Sequence, residues 1–307
     1  MISVRIDTSI IIVTYNQADS LKRALQALSS QTVQDFEVII IDEGSTDTTR
    51  MVCREASSFL PNFQYHHLGS WSGKGRAGCR NLGIKASSGN FLLFTDSDCI
   101  PERDWVEKMR FALDKKAVIA GAVKSPMSDY LLLCHNIAQF HRFIPENKAG
   151  PIPYIAGANM GIQKFVLERT GLFEEGCNMA EDMEWLLRAR THGFQSIFEP
   201  GAMITHIPEG RSKLWPVLNY AMIHAESTIQ LRIRYSSLLK TPFLLKSPIL
   251  LFFASPAIAI CSTFENFMKN PELLRYLHTL PVVLIIRLAW CKGAITGLKK
   301  MNREKKV

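Results

Sequence analysis

The 307-residue chain is predicted to be an α/β protein with a mostly parallel sheet flanked by helices and an apolar helical C-terminal region. Three observations predict this. Short, β-branched apolar runs alternate with stretches of helical period through the first hundred residues, the pattern of buried parallel strands joined by helical crossovers. At 47% hydrophobic and 21% charged, the composition excludes a disordered chain and supplies a large core. Beyond Pro208 the character changes to long apolar runs among basic residues.

Taken in order, Ser9 to Tyr15 reads as a buried strand, and a helix starts at Asp19 or Ser20 with Leu21, Ala24, Leu25 and Leu28 on one face. Phe36 to Ile41 is a second strand ending at Asp42, Thr46 to Ser58 a second helix, and Phe63 to His67 a third strand. Lys74 to Ala86 is helical and stops at Ser87-Ser88-Gly89, and Phe91 to Thr95 is a fourth strand. The middle is less regular. It predicts a strand at Ala117–Val123, a helix from Asp182 to His192, and short strands near Gln195–Phe198 and Met203–His206. No internal repeat or low-complexity tract is visible.

The net charge of +8 divides unevenly. From residue 208 onward there are 15 Lys and Arg against 5 Asp and Glu, while the front is near neutral. Basic residues among long apolar runs favour anionic lipid over nucleic acid as partner. Ser247 to Phe264 lacks charge and reaches the lower limit for a spanning helix, although Pro248 and Pro256 weaken it, while Tyr276 to Cys291 carries Arg287. A charge there makes a spanning role costly, so an in-plane or re-entrant helix is expected, with the tail Lys299 to Lys306 on the cytoplasmic side. Two buried helices of a soluble lobe are the plainer alternative. The seven cysteines are odd in number, scattered and nowhere spaced C-x-x-C; this argues against a disulfide framework or a zinc site and fits a reducing compartment. Met1 to Thr8 shows no signal peptide.

In a parallel sheet ligands sit at the carboxyl ends of strands, which directs attention to Thr14-Tyr15-Asn16, Asp42-Glu43 and Asp96-Ser97-Asp98. Asp96 and Asp98 suit a divalent cation that keeps positions open for diphosphate oxygens; an Asx-type turn capping a helix near Glu102 is the alternative. Asp42 suits a base N–H, with Gly44 allowing close approach, while Ser45 or Thr46 would serve as an ordinary helix cap. Glu181-Asp182 opens a helix, where acids are favoured by the dipole and where one is placed as a general base. His206, closing an apolar strand, is a further metal-ligand candidate against a structural role. Gly73-Lys74-Gly75-Arg76-Ala77-Gly78 spells G-x-G-x-x-G before a helix, with Asp98 20 residues beyond Gly78, and keeps open a nicotinamide-dependent oxidoreductase. Against it stand a loop of several residues after Leu68 and the cations Lys74 and Arg76, which suit a diphosphate directly.

Six segments in order carry a resemblance. Ile10 to Asn16, Val38 to Asp47, Gly78-Cys79-Arg80-Asn81-Leu82-Gly83, Thr95-Asp96-Ser97-Asp98, Ile155-Ala156-Gly157-Ala158-Asn159-Met160 and Ala180-Glu181-Asp182-Met183-Glu184-Trp185 resemble the family 2 glycosyltransferases of the GT-A fold. Glu43 stands where that family usually has a second Asp. The resemblance covers roughly residues 7 to 210 and implies a catalytic domain over 1–210, followed by the membrane-associating region over 211–307. It further implies an inverting transferase that moves a sugar from a nucleotide diphosphate sugar, with uracil the commonest base, to a hydroxyl of a glycan or lipid-linked acceptor in cell-surface synthesis. A polyprenyl-phosphate sugar synthase is the alternative within transferases. On this reading Asp182 is the general base, Asp98 binds Mn²⁺ or Mg²⁺, and His206 completes the metal site. Thr14, Tyr15, Asn16, Asp42, Glu43 and Asp96 contact the donor, with Arg80 and Asn81 shaping its pocket. Gly157, Asn159, Glu181 and Trp185 lie on the acceptor side. The enzyme would act at the cytoplasmic face of the membrane.

Overall fold

The computed structural model describes residues 6–70, 72–126, 129–177 and 179–304. These fall into two compact units: Met1–Lys124 with Phe143–Cys177 and Glu181–Glu209, and Ser125–Arg142 with Asn178–Ala180 and Gly210–Val307.

The first unit is built on a sheet of β1 (Thr8–Thr14), β2 (Phe36–Asp42), β3 (Phe63–His67), β4 (Phe91–Asp96), β5 (Cys99–Pro101), β6 (Val118–Lys124), β7 (Gly150–Ile152), β8 (Asn159–Gln163) and β9 (Ser196–His206). Their order is β3-β2-β1-β4-β8-β6-β9-β5, with β7 also on β9. β1, β2, β3 and β4 run parallel, β8 inserts antiparallel to β4 and β6, and β9 runs parallel to β6. Six of the nine described strands therefore share one direction. β1 and β2 are buried almost end to end, which is why both read as unbroken apolar runs. Around the sheet lie α1 (Ala18–Ser29), α2 (Thr49–Ala56), α3 (Gly75–Ala86) and α4 (Trp105–Lys115). α1 buries Leu21, Ala24, Leu25 and Leu28, the face anticipated from its spacing.

Several boundaries differ from the sequence reading. α2 is shorter than 46–58 because the Asn16 carboxamide and the Asp47 carboxylate hold residues 46–48 in a loop ahead of Thr49. The two short strands expected near 195–198 and 203–206 are one strand, β9, which passes Pro200-Gly201 through a register shift opposite Gly121 and Ala122. The helix expected near Glu102 begins at Trp105, and Asp98 does not cap it. α6 (Lys164–Thr170) and α7 (Glu181–Thr191) complete the unit.

The second unit is helical. α5 (Tyr130–Phe140) belongs to it although it lies between β6 and β7 in sequence. α8 (Leu214–Arg234), a 3-10 turn at Phe243–Lys246, α9 (Pro248–Lys269), a 3-10 stretch at Pro271–Thr279 and α10 (Leu280–Glu304) follow. Pro248 sits in the first turn of α9, where its missing N–H costs nothing, and the Ser247 hydroxyl caps that end. α8 and α10 approach closely: a Cβ on Gly293 would fall 2.1 Å from the Met222 carbonyl oxygen, and one on Gly297 2.7 Å from that of Glu226. Among the described residues two stretches are long and apolar enough to cross a membrane, Pro248–Lys269 and Pro271–Glu304. Lys305 and Lys306 of the basic tail, and Met1 to Arg5, lie outside the described residues.

Candidate active site

The parallel register aligns three strand ends. Thr14 pairs with Asp42 across β1 and β2, and Val13 with Asp96 across β1 and β4. Thr14 is buried, whereas Tyr15 and Asn16 are exposed just beyond it. Asn16 adopts a left-handed backbone, φ 50°, a conformation asparagine tolerates better than most residues. Its Oδ1 accepts the Thr46 N–H at 2.8 Å, and its own N–H donates to Ser45 Oγ at 2.8 Å. Asp47 then accepts the Ala18 N–H and both the N–H and hydroxyl of Thr49, so one carboxylate serves the first turns of α1 and α2.

Asp42 closes β2 and is 1% exposed. Its carboxylate accepts N–H groups of Gly44 at 3.2 Å and Ser45 at 2.8 Å, and the Tyr65 hydroxyl at 2.6 Å. Neither Ser45 nor Thr46 caps α2, whose N-cap is Thr48. Glu43 reaches the start of α3, where its Oε1 accepts the Gly75 N–H at 2.7 Å. The extra methylene of glutamate thus has a structural use. It also weakens the dinucleotide alternative, because a carboxylate of the chain itself sits at the helix start where a pyrophosphate would lie. The loop from edge strand β3 to α3 is long as well, spanning residues 68–74.

Arg80, 3% exposed, links two of the acidic segments. Its Nη2 donates to Asp96 Oδ1 at 3.0 Å and its Nη1 to Glu181 Oε1. A buried guanidinium is tolerable only when so paired, and Glu181 and Asp96 keep it charged against its burial. Burial raises the Asp96 pKa, but Arg80, Arg76 and His206 outweigh that and leave it lowered. Gly157 lies against the guanidinium, where a Cβ would stand 2.6 Å from Nη2. The Gly157 N–H donates to Asp182 Oδ2 at 2.6 Å, and the Met183 N–H donates to Asp182 Oδ1 at 2.7 Å. Asp182 is pushed up to about 6, chiefly by burial and then by the neighbouring Glu181 charge. A carboxylate of that pKa is matched to proton abstraction near neutral pH.

Asp98 and His206, 108 positions apart, are brought together by the antiparallel ladder of β5 and β9. Cys99 pairs with His206, and the Asp98 carbonyl accepts the Ile207 N–H at 2.9 Å. His206 Nε2 lies 3.7 Å from Asp98 Oδ2. With Cys99 Sγ these donors lie within 4.8 Å of one another. The Cys99 thiol donates to Asp98 Oδ1 at 3.6 Å, and burial holds its pKa well above the usual thiol value. A carboxylate and an imidazole suit a hard cation such as Mn²⁺ or Mg²⁺, whereas a thiol is the donor of softer metals. The donor set therefore fits such an ion through Asp98 and His206.

Three of the residues expected to shape the pocket or lie on the acceptor side, Asn159, Trp185 and Asn81, are buried. Asn159 is fully buried; its Oδ1 accepts from Trp105 Nε1 at 2.8 Å, and its Nδ2 donates to the carbonyls of Ala122 and Ala202. It pins β8 to β6, β9 and α4, so its side chain has no acceptor-facing surface. Trp185, also 0% exposed, packs on Phe173 and donates to the Gly171 carbonyl. Asn81 exchanges hydrogen bonds with the backbone of Phe173 and donates to Glu175. Sequence reasoning missed Tyr65 and Cys99 as neighbours of the acids, and Asp47 as a double cap. Only Asp47 had a local signal, an Asp two residues before a helical Thr.

Residues 9–171 match the profile of glycosyl transferase family 2. The chain belongs to that family. Among relatives, the glycosyltransferase AglE of Haloferax volcanii is 27% identical over 194 residues, covering 62% of this chain and 63% of that protein. The chain thus spans less than two-thirds of the length of the curated relatives it matches. Its fold resembles the mannosyltransferase PcManGT from Pyrobaculum calidifontis in complex with GDP-Man and Mn²⁺, with TM-score 0.66, 18% identity, and coverage of 95% of this chain and 86% of that one. It also resembles S. aureus TarS 1-349 in complex with UDP-GlcNAc, with TM-score 0.56, 17% identity, and coverage of 97% and 92%. The family member has the GT-A fold, an α/β architecture with a mostly parallel central sheet, and two apolar C-terminal helices.

Proposed function

We propose that the chain is an inverting glycosyltransferase that moves a sugar from a nucleotide diphosphate sugar to a hydroxyl of a glycan or lipid-linked acceptor at the cytoplasmic face of a membrane. The observation that carries this reading is the Arg80 bridge. It joins the strand end bearing Asp96 to the helix start bearing Glu181-Asp182, so the donor-side and base-side acids belong to one electrostatic unit.

In the proposed reaction the acceptor hydroxyl gives its proton to the Asp182 carboxylate. The acceptor oxygen attacks the anomeric carbon as the bond to the diphosphate oxygen breaks, and the nucleoside diphosphate leaves with inversion. Mn²⁺ or Mg²⁺ held by Asp98 and His206 would offset charge on that leaving group. Arg80 positions Asp96 and, through Glu181, the first turn of α7. Asp42, Glu43, Thr14, Tyr15 and Asn16 form the rim at the ends of β1 and β2 on which the nucleoside would rest. Gly157 orients Asp182 through its N–H.

The test is calorimetric titration of the full chain with UDP, GDP, dTDP and NADH, each with and without Mn²⁺, repeated on Asp98→Ala. Metal-dependent binding of one nucleoside diphosphate, weakened about tenfold or more in Asp98→Ala, is expected. Metal-independent NADH binding, indifferent to Asp98, would replace this reading with the oxidoreductase one.

A further inference from the structure

The second unit presents an outward face that no described residue covers. On α9, Phe252 is 63%, Phe253 77% and Met268 73% exposed, with Phe264 at 56% on the same helix. Phe243, ahead of α9, is exposed between exposed Lys240 and Lys246. An apolar face of this size rimmed by lysines matches an anionic lipid surface.

The helices carrying this face are tied back on themselves. α9 leaves α8 through residues 235–247 and ends at the 3-10 stretch Pro271–Thr279. That stretch is bound to α5, because the Tyr130 hydroxyl donates to the His278 carbonyl at 2.9 Å and the two rings stack. α5 is in turn bound to the start of α8: Arg211 Nη1 donates to His135 Nε2 at 2.7 Å, and the His135 and Tyr220 rings meet edge to face. α10 repeats the constraint. Near its start Arg287 Nη2 donates to the Ala138 carbonyl at 2.9 Å; near its end Lys300 pairs with Glu226 of α8. The start of α9 is held as well, since Leu251 packs against Ala225 and Ile229 of α8, so α9 and α10 are both fastened to the same two helices, α5 and α8. Those helices carry His135, Asn136, Gln139, Glu226, Arg232 and Arg234, too polar a set for hydrocarbon. Exposed Lys292 lies at the midpoint of α10, where a spanning helix would meet the bilayer centre.

We infer that α9 and α10 do not cross the membrane, and that the second unit is a one-leaflet anchor whose Phe243, Phe252, Phe253, Phe264 and Met268 enter the acyl region of an anionic bilayer. This rests on the membrane part of the reading above and fixes its mode. Lys240 and Lys246 meet the headgroups, and both ends of α9 stay on the side where the chain is made.

The test uses the full chain in a Cys177→Ser, Cys261→Ser background, in which the five remaining cysteines are buried, with one added cysteine at a time, Lys246→Cys or Leu274→Cys, on either side of α9. Sealed inverted and right-side-out membrane vesicles from expressing cells are labelled with an impermeant maleimide. Both positions are expected to label only in inverted vesicles. Labelling from opposite sides would overturn the one-leaflet anchor while leaving membrane association intact; recovery of the chain in the soluble fraction would overturn both. In parallel, purified Phe252→Ser and Phe253→Ser should each lower partition onto phosphatidylcholine–phosphatidylglycerol vesicles about tenfold, with nucleotide titration unchanged. Binding equal to wild type in both variants, or dimers in buffer that the variants dissociate while vesicles bind nothing, would also overturn the inference.

Discussion

Replacing Asp182 by asparagine tests the electrostatics of the site through stability as well as activity. Asp182 rises from an ordinary 3.8 to about 6 because burial disfavours its charge and Glu181 repels it. The folded protein therefore holds a proton that the unfolded chain has released. The stabilisation this gives is fully present below pH 3.8 and is lost as pH rises through about 6. A rise of roughly two pH units corresponds to about 3 kcal/mol. The Asp182→Asn variant has no such dependence, although its new amide meets two N–H donors and carries a fixed cost of about 1–2 kcal/mol. That cost is the same at every pH, so it cancels in a comparison across pH. Urea unfolding of both proteins from pH 4 to pH 7.5 should show wild type losing about 3 kcal/mol relative to Asp182→Asn. Wild-type kcat/KM should fall about tenfold per unit below pH 6, and the variant should bind nucleoside diphosphate but not turn over. A stability difference flat across this range would show that Asp182 titrates as an ordinary carboxyl, and the general-base argument would lose its physical ground.

Two further substitutions probe the scaffold. Gly157→Ala places a methyl 2.6 Å from the Arg80 guanidinium; it should lower kcat/KM more than tenfold and lower the Tm by several degrees, as steady-state kinetics and thermal unfolding would report. Asn159→Ala removes three buried hydrogen bonds and should cost about 3 kcal/mol in urea unfolding while leaving the Kd for nucleoside diphosphate unchanged, since the side chain reaches no ligand.

The strands of the first half were legible because burial on both faces forces an uninterrupted apolar run, as in Ile10 to Val13 and Val38 to Ile41. The strand ends then located Asp42, Asp96 and Asp98 without any knowledge of tertiary contacts. What escaped was everything set by distant partners. Asn159 and Trp185 sit in segments expected to line a site, yet whether each faces inward depends on Trp105, 54 residues before Asn159, and on Phe173, packed on Trp185 from outside its segment. α5 is buried around most of its circumference, polar His135 and Asn136 included, so it shows no apolar stripe of helical period. β5 is three residues ending in proline, too short for alternation to register, although it aligns Asp98 with His206. The resemblance has Arg80 shaping the donor pocket; that it lies between two acids is a property of packing that its own segment does not encode.

The β5–β9 pairing has a consequence for biosynthesis. β9 is the last strand of the sheet to leave the ribosome, yet it lies inside the strand order, joining β6 to β5 and accepting β7. Until residue 206 has emerged, Asp98 has no imidazole opposite it, and β6 has an open edge. A chain interrupted between residues 97 and 205 contains β1 to β4 but lacks the Asp98–His206 pair. On the proposed reading, capacity to hold the ion would thus arrive only with completion of the sheet, after the strands that carry the acids.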